Sequence, residues 1–279
     1  MAAPIAGSQN SAAEARGDGT VGKALDVLDR VAGFGRPVRF SEMLADSPLP
    51  RATLFRLLRT LSSQGMLAYD DNRQVYTLGM RLVRLAHAAW RQSSLAPLAR
   101  PHLDALSAEL GETVHLAQLD AGQVLYVDKR NAERPIEMFS DAGKVGPAYC
   151  TGVGKAMLAF QDEATLARLI RYQAFQRFTP NTLTDEQALR DELVEIRTRG
   201  HAFDREEHEP GIICVAVPVC ALDGQVLGGL SITGSTARLS LDEMTAHVAR
   251  LTVCARRIAG DVESWRFPQP VRARSTEEP

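Results

Sequence analysis

Between residues 50 and 79, PRATLFRLLRTLSSQGMLAYDDNRQVYTLG, the apolar positions recur first at helical and then at strand spacing. Leu54, Leu57, Leu58 and Leu61 fall on one side of a helical wheel, and Gly65 marks the stop. Ala52, Arg56, Arg59 and Ser63 fall on the opposite side, flanked by Thr53 and Thr60. Two short strands then turn on Asp70-Asp71-Asn72. Upstream, Thr20 is placed as an N-cap, and Val21, Ala24, Leu25, Leu28 and Val31 predict a helix that Gly33-Phe34-Gly35 ends. A strand-like piece at Val38–Phe40 leads to Ser41, placed as the cap of a brief helix through Ala45. Asp46-Ser47-Pro48-Leu49-Pro50 breaks the chain, with Pro50 at or before the first turn of the next helix. This order of helix, short helix, tight turn, longer helix and hairpin predicts a winged helix-turn-helix over residues 20–79.

Met80–Gln92 is apolar on one side and predicts a connecting helix that also suits pairing with a second subunit. Leu95–Leu110 predicts another, stopped by Gly111. From Glu112 the period changes. Thr113–Leu119 and Gln123–Lys129 predict a hairpin over Asp120-Ala121-Gly122, and strand signals return at Ile136–Phe139, Gly200–Asp204, Ile212–Val219 and Val226–Ile232. Helices are expected at Gly152–Phe160, Glu163–Tyr172, Asp185–Arg199 and Leu241–Val262. Strands grouped at each end with helices between them predict an α+β domain around a mostly antiparallel sheet. The expected division is a disordered lead-in (1–19), the winged helix-turn-helix (20–79), a linker helix (80–93), a C-terminal domain (94–265) and a disordered tail (266–279).

The 279 residues, 45% apolar and 24% charged, are ordinary for a globular protein, and a net charge of −2 advertises no nucleic acid in bulk. The distribution says more. Residues 20–90 hold ten Lys or Arg against six Asp or Glu, which leaves the rest of the chain acidic. A basic front and an acidic rear fit a DNA-binding module joined to a part that does not touch DNA. On that reading Arg56 and Arg59, with Arg51, Thr53, Thr60 and Ser63 around them, face a DNA groove. A bidentate Arg–guanine pair supplies roughly 1–3 kcal/mol of discrimination. Arg73, in the hairpin turn, is the candidate phosphate or minor-groove contact. Cys150, Cys214, Cys220 and Cys254 are scattered without zinc-finger spacing and read as reduced thiols of a cytosolic protein. The longest apolar run, Cys214–Leu222, is too short for a membrane span and contains Pro218; the N-terminus does not read as a signal peptide.

Two further segments carry candidate chemistry. Thr151-Gly152-Val153-Gly154-Lys155 opens an apolar helix, and backbone N–H groups bared by glycine at a helix start suit an anion, although close helix packing also asks for glycine. It is no P-loop, since Tyr149 and Ala156 stand where Gly and Ser or Thr are needed; Met157 likewise spoils GxGxxG. The acids of Asp204-Arg205-Glu206-Glu207-His208-Glu209 suggest a metal cluster, but consecutive acids at a strand end read first as a solvated turn. A Cys214 nucleophile with His115 or His208 as base carries no recognisable enzyme signature.

These segments together resemble the IclR family of bacterial transcription regulators, from about Val21 to Val262. The resemblance is carried by VGKALDVLDRVAGF, RATLFRLLRTLSSQGML and the wing YTLG, then by CTGVGKAMLAF (150–160), HAFDREEHEPGIICVAVPV (201–219) and GQVLGGLSITGSTARL (224–239). It implies a GAF-like effector domain, with an antiparallel sheet flanked by helices, behind the DNA-binding head. In the implied pocket, Gly152 and Val153 offer N–H groups to a carboxylate, Asp204, Ile212 and Cys214 line the opposite wall, and Ser231 and Thr233 add hydroxyls. Relatives that bind small keto acids have Ala, Leu and Ser where this chain has Val153, Ile212 and Thr233, which changes the volume; Met138, Phe139 and Tyr149 suit a larger or aromatic acid equally. The implied protein is a cytoplasmic, nucleoid-associated repressor of a catabolic operon and not an enzyme. Its partners are double-stranded operator DNA, a small organic acid and further copies of itself as homodimer or tetramer; no cofactor, metal or membrane is called for. A metal- or redox-sensing regulator, and an enzyme acting on the bound acid, stay open as alternatives.

Overall fold

The structure, a computed structural model, describes residues 19–92 and 95–266, and the chain divides into two units that meet between Gln92 and Ser93. The expected disordered lead-in and tail lie outside the described residues, apart from Gly19 and Arg266.

The N-terminal unit runs α1 (Thr20–Gly33), β1 (Val38–Arg39), α2 (Phe40–Asp46), α3 (Arg51–Ser63), β2 (Leu67–Asp70), β3 (Val75–Leu78) and α4 (Met80–Gln92). The four leucines of α3 are buried against Val27, Leu28 and Val31 of α1, Met43 of α2 and Tyr76 of β3. Burial of this stripe, more than helix propensity, is what holds α3 in place. Behind α3, Gly65 takes φ +69°, and the amides of Gly65 and Met66 close back on Ser62 and Leu61, so the helix ends in a Schellman cap. A side chain on Gly79 would strike the Gly65 carbonyl, so the chain leaving β3 needs glycine there. The wing pairs β2 with β3 and β3 with β1, all antiparallel. Three local expectations change. Gly19, not Thr20, is the N-cap of α1, and Val21 and Leu25 stay exposed because α1 packs through Val27, Leu28 and Val31 instead. Ser41 is not a cap: α2 starts at Phe40, and the Glu42 carboxylate accepts the Arg39 N–H at 2.8 Å.

The second unit contains α5 (Leu95–Leu110), β4 (Thr113–Asp120), β5 (Gln123–Arg130), β6 (Val145–Pro147), α6 (Gly152–Ala159), α7 (Glu163–Ile170), α8 (Glu186–Arg199), β7 (Ala202–Arg205), β8 (Ile212–Cys220), β9 (Val226–Ser235), α9 (Leu241–Thr245) and α10 (Val248–Arg266). Its six strands form one antiparallel sheet in the order β6-β5-β4-β9-β8-β7. One face, with Val114, Leu116, Val215, Val217, Leu230 and Ile232, packs on α5 and α10; the other, with Ala117, Val124, Tyr126 and Ala216, packs under α6, α7 and α8. Period-two alternation therefore sorts each strand between two cores. The expected strand at Ile136–Phe139 does not form. The outer edge of β5 is taken by β6 and by Gly143 and Lys144, and the Phe139 amide bonds the Glu209 carboxylate at 2.8 Å. The expected helix Leu241–Val262 is broken in two, because the amides of Ala246 and His247 close three-residue bonds to Glu243 and Met244 that end α9. Gly200, read as strand, is the left-handed cap of α8 at φ +80°.

Candidate nucleic-acid interface and ligand pocket

With its leucines buried, α3 presents Arg51, Arg56, Arg59, Thr60 and Ser63 to solvent, while Thr53 is half-buried. Among the described residues Arg56, Arg59 and Arg73 form no ion pair, whereas Arg30 lies 2.8 Å from Asp46, Arg36 lies 2.6 Å from Glu42, and Arg39 faces the same Glu42. The Arg51 guanidinium is 5.3 Å from the Phe40 ring centre, and Ser63 spends its hydroxyl on the Thr60 carbonyl at 2.8 Å. The wing tip is shaped by Asp70, whose carboxylate accepts the amides of Asn72 and Arg73 at 2.9 and 3.1 Å. Antiparallel pairing of Arg39 with Val75 brings β1 alongside the wing, and Arg36, Arg39, Asn72 and Arg73 line a crevice of about 470 Å³. Arg39 was not legible as a candidate, since only the β1–β3 register places it beside Arg73.

In the second unit the register builds the site. Asp204 pairs with Cys214 and Cys214 with Thr233, while His115 pairs with Ser231. These residues therefore stand in adjacent rows on the sheet face beneath α6. All seven residues expected in the pocket, Gly152, Val153, Asp204, Ile212, Cys214, Ser231 and Thr233, line one cavity of about 30 Å³. His115, Tyr126, Ser140, Thr151, His208 and Glu209 complete the wall. None of these six was picked out for this wall, because strand order and loop closure bring them there. Met138, Phe139 and Tyr149 are not among the lining residues; Tyr149 is buried elsewhere, with its hydroxyl on the Gln176 carbonyl at 2.6 Å.

Gly152 and Gly154 are set by packing. A Cβ on Gly152 would collide with the Cys214 sulfur, and one on Gly154 with the Ala148 carbonyl. Thr151, at the N-cap of α6, gives its hydroxyl to the Pro147 carbonyl at 2.7 Å, so the N-cap side chain does not cap the first amides of α6. The acidic stretch after β7 is not a solvated turn. Asp204 and Glu207 are both buried, with the Glu207 amide on Asp204 Oδ1 at 2.8 Å. The reason is Lys155: fully buried in α6, it needs a counter-charge and bonds the Glu207 carboxylate, while Thr182 donates to the Glu207 carbonyl at 2.6 Å. Burial, reinforced by the Glu207 charge, pushes the Asp204 carboxyl up to about 7. Burial likewise pushes the His115 imidazole down to about 3, and its two nitrogens face the Ser140 and Thr233 hydroxyls at 3.0 and 3.3 Å. Although burial works against it, the His208 and Phe139 hydrogen bonds hold the Glu209 carboxyl below its ordinary range. The aromatic rings of Phe139 and Phe178 sit 5.1 and 4.8 Å from the His208 ring.

Burial raises the Cys214 thiol above its ordinary range, the reverse of what a nucleophile needs, and His115 is engaged with hydroxyls rather than with sulfur. Cys214 and Cys220 lie on the same strand, roughly 20 Å apart at six residues of strand rise, too far for a disulfide. All four cysteines are free, and among the described residues no group of three or more His, Cys, Asp or Glu could hold a metal ion. No helix among them is long and apolar enough to cross a membrane.

A winged helix-turn-helix with unpaired arginines, in one chain with an α+β unit that encloses a small polar cavity, has the build of a DNA-binding transcriptional regulator. The comparisons agree. Residues 20–71 match the IclR helix-turn-helix domain and residues 87–260 the C-terminal domain of the bacterial transcriptional regulator IclR. The chain belongs to the IclR family of bacterial transcriptional regulators. It is 34% identical to the HTH-type transcriptional regulator BhcR of Paracoccus denitrificans over 85% of each chain. It is also similar to the crystal structure of the Thermotoga maritima IclR, with TM-score 0.72 and 30% identity over 87% of this chain and 98% of that one. An IclR homolog of Microbacterium hydrocarbonoxydans, complexed with 4-hydroxybenzoate, shares the fold at 22% identity, with TM-score 0.71 over 86% of this chain and 99% of that one.

Proposed function

We propose that this chain is a ligand-responsive repressor of a catabolic operon. It binds double-stranded operator DNA as a homodimer or tetramer at the nucleoid, and a small organic acid in the C-terminal cavity biases its arrangement. Arg56 and Arg59 read base edges in the major groove; Arg51, Thr60 and the wing pair Arg39 and Arg73 hold the phosphate backbone. Thr53 and Ser63 flank the recognition surface.

The observation that carries the reading is the convergence of Gly152, Val153, Asp204, Ile212, Cys214, Ser231 and Thr233 on one enclosed cavity, in a chain that also carries an arginine-faced α3. At about 30 Å³ the cavity is far below the roughly 300 Å³ of ordinary ligand pockets. An acid therefore binds a wider state and favours it, and that difference in affinity is the lever on DNA binding. DNA selected by the protein from a random pool supplies the assay. Arg56→Ala with Arg59→Ala is expected to abolish preference for the selected sequence and leave only salt-sensitive, sequence-blind binding. Unchanged affinity and salt dependence would sink the recognition-helix assignment. Asp204→Ala with Ser231→Ala is expected to remove the effect of an acid on the complex while DNA affinity persists.

A further inference from the structure

The cavity wall holds Asp204, Glu209, His115 and His208 but neither Lys nor Arg. The nearest buried cation, Lys155, is turned to Glu207 and stands 3.9 Å from Glu192. His115 is neutral and bonded on both nitrogens, and His208 lies 3.7 Å from Glu209, which matches any charge it carries. An acid entering this space brings a carboxylate to a wall that already owns two. Carboxyl groups that share a site do so by sharing a proton, because two adjacent negative charges in a buried site repel strongly.

Resting on the reading of the cavity as an organic-acid pocket, we propose that the ligand binds together with a proton held between its carboxylate and Asp204. Glu207 does not line the cavity; it grips Asp204 from behind through its amide at 2.8 Å, and its own carboxylate is tied to Lys155. The groups that face Asp204 are Glu207 and His208 from the turn after β7, Lys155 from α6, Cys214 from β8, Cys150 before α6 and Tyr126 from β5. Lys155 and Glu207 answer each other, and burial keeps both thiols and the phenol neutral, so no uncompensated cation is left to hold Asp204 as an anion. The raised Asp204 carboxyl agrees with this arrangement. The ligand class is accordingly a monoanionic acid that accepts a hydrogen bond from a carboxyl group, and its amide is a poor substitute because an amide N–H₂ meets the same donor.

The test is calorimetry on the full-length protein with 4-hydroxybenzoate and pyruvate, each in two buffers of different ionisation enthalpy, at pH 5.5 and pH 8. About one proton taken up per acid bound is expected at pH 8 and close to none at pH 5.5, with affinity falling roughly tenfold per pH unit above 7. Asp204→Asn keeps a donor that cannot titrate, and is expected to lose both the proton uptake and the pH dependence. Binding at pH 8 without proton uptake overturns the proposal and leaves the organic-acid reading standing. Uptake that survives Asp204→Asn overturns the assignment to Asp204. If neither acid binds at either pH, the organic-acid reading falls and the proposal with it.

Discussion

In the N-terminal unit Arg56, Arg59 and Arg73 form no ion pair among the described residues; in the second unit several cations are held by acids. There Lys155 lies on Glu207, Arg130 on Asp104 and Asp128, Arg238 on Glu112, and Arg199 and Arg205 on Glu192 at 2.7 and 3.2 Å. A surface that must meet phosphate is most useful when its cations have no internal partner to give up, since each ion pair broken on binding subtracts from the gain. A domain that closes around a small molecule needs the opposite: charges satisfied inside the protein, so that the cavity wall itself stays close to neutral. The same residue types thus serve binding in one unit and architecture in the other. Mutations should separate them, with the breaking of an ion pair costing stability in the second unit and the loss of an arginine costing affinity in the first.

The largest effect is expected at Lys155. Lys155→Met leaves the Glu207 charge buried without its partner and should cost about 3–5 kcal/mol. Adding Glu207→Gln should recover most of the loss, because the stranded charge and not the missing lysine carries the penalty. Urea unfolding of the four proteins of that cycle measures both. A single-mutant loss under about 1 kcal/mol would show that the pair does not brace the domain and would blur the contrast between the units.

Asp204 comes next, with a sign that follows from its environment. Its carboxyl is raised to about 7 in the folded protein, so the native state holds a proton that the unfolded chain releases near pH 4. Relative to a non-titrating group, folding is therefore penalised progressively as pH rises from about 4 to 7. Asp204→Asn should stabilise the ligand-free protein by about 2–4 kcal/mol at pH 8 and by little at pH 4. His115 titrates the other way: burial lowers it to about 3, so its contribution is lost as pH falls below about 6.5. Melting temperatures across pH for the parent, Asp204→Asn and His115→Gln proteins distinguish the two.

Much of the fold was legible because period and punctuation agree. The α3 leucines, the Pro50 entry and the Gly65 stop fix one helix locally, and the period-two strands on either side of Ala121-Gly122 define a hairpin without help from the rest of the chain. What was not legible depended on partners distant in sequence. Ile136–Phe139 has a strand's composition but loses the β5 edge to Val145–Pro147. The acids after Asp204 look solvated until Lys155, about fifty residues earlier, is seen to be buried beneath them. His115 and Tyr126 join the cavity through strand order alone, which no local pattern encodes.

Smaller effects are expected on the DNA side, and they sort by what each side chain can reach. Arg39→Ala and Arg73→Ala should each lower the slope of log affinity against log salt by about one and weaken binding evenly across sequences, as phosphate contacts do. Neither should change stability by more than about 0.5 kcal/mol, since Arg73 forms no ion pair and the attraction of Arg39 to the exposed Glu42 is screened by solvent. A stability loss at either position would mean that these arginines also brace the fold, and the two units would then differ less than their ion pairs indicate.

The smallest effect belongs to Ser63, which stands on the recognition face beside Arg59 but differs from it in one respect. Its hydroxyl already donates to the Thr60 carbonyl at 2.8 Å, within the last turn of α3, where that carbonyl also accepts the Gln64 amide. A phosphate contact from Ser63 would have to break or share that bond, so the net gain is small. Ser63→Ala should change operator affinity by less than about 0.5 kcal/mol and leave the salt slope untouched. Gel-shift titrations at two salt concentrations decide it: a tenfold loss would mean that the hydroxyl leaves Thr60 on binding, and that α3 reads DNA through its C-terminal turn as well as through its arginines.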